Sequence, residues 1–284
     1  MRLVRYRAPN QQKGTERPAI LDPEDNLRDL SNIIPDLAGA ALSPDSLANI
    51  RALDLAALPI VGGNPELGPC VGDVGKFICV GLNYADHARE AGLEPPREPV
   101  LFAKATSSIS GPSDPIRKPA ASTKLDWEVE LAAVIGSACR EIDEADALAH
   151  VAGYCIVNDV SERAFQIERE GQWIKGKSAD TFGPVGPWLV TSDDMSDLQD
   201  LNLWLDVNGE ACQRGNTSTM IFSVATCIAY VSQFMSLQPG DIVSTGTPPG
   251  VGLGMKPPRF LEVGDVVSLG IEGLGEQRQV VVAP

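Results

Sequence analysis

Residues 126–135 read Asp126-Trp127-Glu128-Val129-Glu130-Leu131-Ala132-Ala133-Val134-Ile135, with acids at every second position followed by an unbroken apolar run. In a strand alternate side chains share a face, so Glu128 and Glu130 point the same way, and Asp126 can join them at the strand's start. Carboxylates this close repel unless water, a proton or a cation intervenes. For an acid-x-acid pair alone, the solvent face of a half-exposed strand is the commoner explanation. The run Leu131–Ile135 argues against it here, because it leads the strand into the core.

Other short β-type runs stand at Phe77–Val80, Tyr154–Val157, Leu203–Val207, Ile242–Thr245 and Val266–Ile271, separated by Gly and Pro turns, and predict an α+β, mostly β fold. Asn208-Gly209 is a hairpin signal, since a type I′ turn needs positive φ at both central positions. Leu237–Val243 and Leu261–Val267 echo one another as turn plus strand, and two copies do not make a repeat architecture. One helix is expected to begin after Thr217 or Ser218, with Ile221, Val224, Ile228, Val231 and Met235 at three- and four-residue steps packing into the core. Residues 1–70 read as a small N-terminal unit, closed by a linker rich in Pro and Gly between 59 and 69, and residues 71–284 as the main domain.

With 284 residues, 43% hydrophobic and 21% charged, the chain can bury a sizeable core. A formal net charge of −15 excludes a general attraction to nucleic acid or anionic lipid. An anionic substrate would need a local positive centre, which a bound cation with a few Lys or Arg could supply. The six cysteines show no C-x-x-C pair and no zinc spacing, and read as reduced, buried thiols. Neither a signal core in MRLVRYRAPNQQKG nor a run of membrane-span length is seen, so a cytoplasmic location is expected.

Asp159 stands where the apolar strand ending at Val157 gives way to a turn; alone it would be a helix cap. Together with Glu128 and Glu130 it would suit a hard ion such as Mg²⁺ or Mn²⁺, leaving about three octahedral positions for a 2-oxo carboxylate and water. His87 and Glu90, three apart, share a face if helical, so the carboxylate could hold the imidazole as a general base; a surface ion pair is the plain alternative. The other histidine, His150, reads as structural.

The ordered series GLNYADH (81–87), FAKATSSISGP (102–112), DWEVELAAVIG (126–136), GYCIVNDVSER (153–163), WIKGKSADTFGPVGPW (173–188), NGE (208–210) and STGTPPGVG (244–252) resembles the C-terminal domain of the fumarylacetoacetate hydrolase family. The resemblance extends over about residues 75–282, and the N-terminal region resembles a subgroup labelled 2,4-diketo-3-deoxy-sugar-acid hydrolase or ureidoglycolate lyase. It implies a mixed β-roll, barrel-like catalytic domain behind a small N-terminal one. By the same resemblance Glu128, Glu130 and Asp159 hold one Mg²⁺ or Mn²⁺ per chain, and His87, Glu90 and Lys177 are catalytic. Lys104, Arg163, Gln166 and Thr247 contact a small anionic 2-oxo acid. The implied reaction is hydrolysis of a carbon–carbon bond in a 2,4-dioxo acid, in a homodimer with no nucleic-acid or membrane partner. Oxaloacetate decarboxylation, or a ureidoglycolate lyase or hydratase reaction, could use the same site, and a catalytically silent metal-binding protein is the reading from another class. The far end of the substrate is expected to meet residues around Ala88–Pro99 and the N-terminal unit.

Overall fold

The structure, a computed structural model, describes residues 1–284 apart from Asn10, Ala91, Leu93 and Ser196, and the backbone alone at Ala88. Its frame is a large mixed sheet built from β1 (Arg2–Arg7), β2 (Arg17–Leu21), β3 (Leu27–Asp29), β4 (Phe77–Gly81), β5 (Val100–Lys104), β6 (Val129–Ile135), β7 (Val151–Asn158), β8 (Gly183–Thr191) and, later in the chain, a short strand at Ile242–Ser244. The order across the sheet is β3-β2-β1-β8-β7-β6-(242–244)-β4-β5. A second sheet is formed mainly by β9 (Asn202–Val207), β10 (Glu210–Asn216), β11 (Val266–Ile271) and β12 (Gly275–Val282).

Alternation along β6 divides the core in two. Leu131, Ala133 and Ile135 pack with Leu203, Leu205, Val267 and Leu269 of the second sheet. Ala132 and Val134 face the other way, onto Leu30, Leu37, Leu42 and Ile50 of the N-terminal segment. A strand covered on both sides must be apolar at consecutive positions, which is why Leu131–Ile135 has no polar break.

Residues 1–70 contribute to this frame directly, for Arg2 and Leu3 of β1 pair with Val190 and Leu189 of β8. They extend the sheet outward instead of returning to β5. The expected barrel-like closure is therefore absent among the described residues: the path ends at the separate edges β3 and β5.

The Asn208-Gly209 turn forms as expected, with φ of 56° and 78°, between β9 and β10. The helix foreseen after Thr217 or Ser218 begins later, at Val224, because the Ser223 hydroxyl accepts the Thr226 amide at 3.1 Å and caps it there. The cysteines are free thiols, and all but Cys212 are buried. No helix is long and apolar enough to cross a membrane among the described residues.

Candidate active site

Pairing of β6 with β7 is antiparallel, with Val129 opposite Asn158 and Glu130 opposite Val157. The start of one strand and the end of the next therefore meet, and Glu128, Glu130 and Asp159 converge with one oxygen of each within 4.8 Å of the others. All three side chains are buried. Residues 242–244 run alongside β6, so the following turn reaches the same place: Ser244 Oγ donates to Glu130 Oε2 at 2.5 Å, and the Gly246 amide donates to it at 3.1 Å. The Glu128 amide donates to Asn158 Oδ1 at 3.2 Å, which fixes the entry to the strand.

Cations surround the acids. Lys177 Nζ lies 2.7 Å from both Glu128 Oε2 and Asp159 Oδ2. Lys104 Nζ donates to Asp159 Oδ1 at 2.5 Å and to the Val160 carbonyl at 3.2 Å. Arg163 donates from Nη2 to Glu128 Oε1 at 2.6 Å, from Nε to Asp126 Oδ2 at 2.8 Å and from Nη1 to Gln166 Oε1 at 3.0 Å. Asp126 turns away from the other acids, taking the Gly252 and Leu253 amides at 2.7 and 3.0 Å, so it anchors a loop and does not join the cluster.

His87 and Glu90 lie on a short helix, Ala85–Glu90, with His87 Nδ1 3.1 Å from Glu90 Oε2. Glu90 is held in turn by the Gly250 amide at 3.0 and 3.2 Å. With Nδ1 engaged by a carboxylate, Nε2 is the ring nitrogen left for chemistry. His150 bonds Ser137 Oγ through Nδ1 at 2.8 Å, far along the chain from these residues.

A cavity of about 470 Å³ joins these parts. His87, Glu90, Glu128, Glu130 and Lys177 reach its wall, as do Arg163, Gln166 and Thr247. Lys104 and Asp159 do not; Lys104 sits behind Asp159, fully enclosed, where it supports that carboxylate from the protein side. Thr247 Oγ1 is committed on both sides, donating to the Val129 carbonyl at 2.9 Å and accepting from Gln213 Nε2 at 2.8 Å.

Residues 76–282 match the fumarylacetoacetate (FAA) hydrolase C-terminal family. The chain belongs to the fumarylacetoacetate hydrolase family. A Burkholderia multivorans protein with only a provisional hydrolase name is 61% identical over 284 residues, covering 100% of this chain and 99% of its own. Among solved structures, a 2-hydroxyhepta-2,4-diene-1,7-dioate isomerase from Mycobacterium marinum is 34% identical with a TM-score of 0.76, over 100% of this chain and 98% of that one. A maleylpyruvate hydrolase from Sphingobium sp. SYK-6, solved with manganese(II) and pyruvate, is 29% identical with a TM-score of 0.81, over 100% and 99%. The fumarylacetoacetate hydrolase family thus supplies full-length enzyme relatives of more than one reaction type.

The donor set fits a divalent ion on its own chemistry. Four buried carboxylates, Asp126, Glu128, Glu130 and Asp159, face three buried cations, Lys104, Lys177 and Arg163. The imbalance falls on Glu130. Burial, then the charges of Asp159 and Glu128, push its carboxyl well above the usual range. Burial also opposes ionisation of Glu128, but Lys177 and Arg163 outweigh it and bring that group down to about 2. With all four acids ionised the set carries −1 (four acids, three bases), and a divalent cation that keeps Glu130 ionised brings it to +1, a local positive centre for an anion within a chain of −15.

A pH dependence follows with a definite sign. Burial and the neighbouring acids favour the protonated form of Glu130 in the ion-free protein, so over the pH range in which that proton is held, uptake of a divalent cation should release it and apparent affinity should rise with pH. Titration calorimetry in two buffers of different ionisation enthalpy, repeated from acid to neutral pH, reads the proton count; a count of zero throughout would contradict this assignment.

Sequence reasoning missed the apolar part of the cavity. Phe102, Trp173, Leu253 and Met255 line it; of the expected Ala88–Pro99 segment Glu90 alone does so among the described residues, and no described residue of the N-terminal unit does. Ala91 and Leu93, in the expected far-end segment, lie outside the described residues. Phe102 and Trp173 stand within segments singled out above for their lysines, and the only available signal was an aromatic beside each.

Proposed function

We propose that the protein hydrolyses a carbon–carbon bond in a 2,4-dioxo acid, releasing pyruvate or a related 2-oxo acid, with one Mg²⁺ or Mn²⁺ on Glu128, Glu130 and Asp159. The observation carrying this reading is that one cavity is lined by Glu128 and Glu130 of a buried three-carboxylate cluster and by a histidine oriented by a carboxylate. Support also comes from the maleylpyruvate hydrolase relative, which was solved with manganese(II) and pyruvate together.

The bound ion would supply Lewis acidity and a template for the oxo-acid head. His87, held through Nδ1 by Glu90, takes a proton from water at Nε2, and the hydroxide oxygen bonds to the distal carbonyl carbon. Lys177 faces the oxyanion that results, Arg163 and Gln166 hold the head group, and Thr247, its hydroxyl committed to Val129 and Gln213, shapes the wall beside it. The bond to C3 then breaks, its electron pair leaves with the pyruvate fragment, and the proton on His87 returns to that fragment while the acyl half departs as a carboxylic acid. Lys104 acts behind Asp159, as a positioning residue. The protein would work in the cytoplasm, as a homodimer.

Hydrolysis carried out in ¹⁸O-labelled water should place one solvent oxygen in the released carboxylic acid. Turnover of oxaloacetate without any acyl cleavage would move the assignment to decarboxylation. An isomerase reading has one specific support, the Mycobacterium marinum relative; it predicts substrate rearrangement with no incorporation at all. Replacing His87 with Gln should lower kcat by roughly 10²-fold or more. That substitution should leave ion affinity in place, since His87 is not among the three acids, and equal losses in both quantities would count against its role as base.

A further inference from the structure

We propose that the substrate carries a bulky apolar acyl substituent, of phenyl size or a longer alkyl chain, selected by Trp173 and Phe102. This rests on the hydrolytic reading of the same site and adds the identity of the group beyond the scissile carbonyl.

The cavity has two chemically different ends. Its floor is buried and polar, made by Glu128, Glu130, Lys177, Arg163 and Thr247. The opposite rim is exposed and apolar: Ile167 is 54% and Leu253 38% exposed, and Pro258 is also exposed. Phe102, Trp173 and Met255 stand between the two, partly buried. A ligand whose oxo-acid head sits on the floor must send its remaining atoms along this wall. At about 470 Å³ the space falls in the range that encloses drug-sized ligands, far more than an acetyl group beyond the head would fill.

The wall starts next to the reacting centre. Lys177 Nζ is 4.9 Å from the centroid of the Phe102 ring, and the Phe102 and Trp173 rings are 5.3 Å apart at 60°. The first atoms attached to the scissile carbonyl would therefore meet an aromatic surface. Gly81 makes room for it, since a Cβ there would fall 2.7 Å from Trp173 Cζ3.

Other substituents fit worse. A polyhydroxylated chain would lose water for few partners, because Phe102, Ile167, Leu253, Met255 and Pro258 of this wall carry no strong hydrogen-bonding side-chain group and Trp173 offers a single indole N–H. Among the described residues, the one cationic side chain that a distal carboxylate could meet on this wall is the exposed Lys256, and a solvent-exposed ion pair contributes little.

The test compares kcat/KM of the Mg²⁺- or Mn²⁺-loaded protein on acetylpyruvate, hexanoylpyruvate, benzoylpyruvate, fumarylpyruvate and a 2,4-dioxo-3-deoxy sugar acid. The hexanoyl or benzoyl compound should exceed acetylpyruvate by roughly 10- to 100-fold, as expected for added apolar contact in a pocket. Trp173→Ala should cut that ratio by at least roughly tenfold, and Trp173→Phe should restore part of it. A preference for the acetyl, sugar-acid or fumaryl compound would overturn the proposal, as would a Trp173→Ala loss equal on all substrates. Absence of hydrolysis on the whole panel would refute the reaction and leave the wall to be judged by binding. Calorimetry of 4-phenyl-2-oxobutanoate against 2-oxobutanoate then decides: tighter binding of the phenyl compound, lost in Trp173→Ala, upholds the selection, and equal binding rejects it.

Discussion

Exchange of Glu130 for Gln is expected to lower kcat by roughly 10³-fold or more, because a lost cation contact at a centre of developing charge removes several kcal/mol of stabilisation at 1.36 kcal/mol per tenfold. The substitution is chosen for its small structural cost. A Gln side chain keeps an oxygen for the Ser244 hydroxyl and the Gly246 amide, which now bond Glu130 at 2.5 and 3.1 Å. Its effect on ion-free stability follows from linkage. Burial, Asp159 and Glu128 raise the folded carboxyl pKa of Glu130, so its contribution is fully present at acid pH and is lost as pH rises through that raised value. At neutral pH a neutral amide removes a cost, and the ion-free variant should unfold no earlier than the parent. Turnover and the thermal midpoint, measured on the same preparation, check both parts. An active variant with unchanged ion dependence would remove Glu130 from the site.

Gly250→Ala should destabilise the fold by about 3 kcal/mol or more and reduce kcat/KM as well. Gly250 has φ of 103°, a region that side chains rarely adopt, and an added Cβ would stand 2.1 Å from the carbonyl oxygen of Cys212. Backbone has to move to relieve that contact. The same residue ties the site together: its amide holds Glu90, which orients His87, and its carbonyl accepts Trp127 Nε1 at 3.1 Å. A urea midpoint and a kcat/KM measured together should both fall, and a variant with parental stability would show that the loop accommodates a side chain.

The parts of the site legible without the family resemblance were those encoded by strand alternation and local spacing. Glu128 and Glu130 were legible because they precede an apolar run two residues apart, and His87 with Glu90 because three residues make one helical turn. Asp126 obeyed the same alternation and still left the cluster, since the Gly252 and Leu253 amides and Arg163 bind it, partners distant in sequence. β8 was hidden by Pro184, Gly186 and Pro187, which read as turn residues yet lie within a strand. The place of Lys104 behind Asp159 depends on how β5 is registered in the sheet, with Phe77 opposite Lys104, and no local pattern records that. The aromatic wall is tertiary too, because Phe102 and Trp173 come from separate elements and meet only when the chain is folded.

The central claim, a cation-dependent carbon–carbon hydrolase, is tested most directly by stripping the protein with EDTA and following pyruvate release from an acylpyruvate panel, with oxaloacetate and ureidoglycolate alongside. No release by the stripped protein is expected, with recovery on at least one acylpyruvate when Mg²⁺ or Mn²⁺ is added. Full activity without any added ion, or ion-restored activity confined to oxaloacetate or ureidoglycolate, would contradict it.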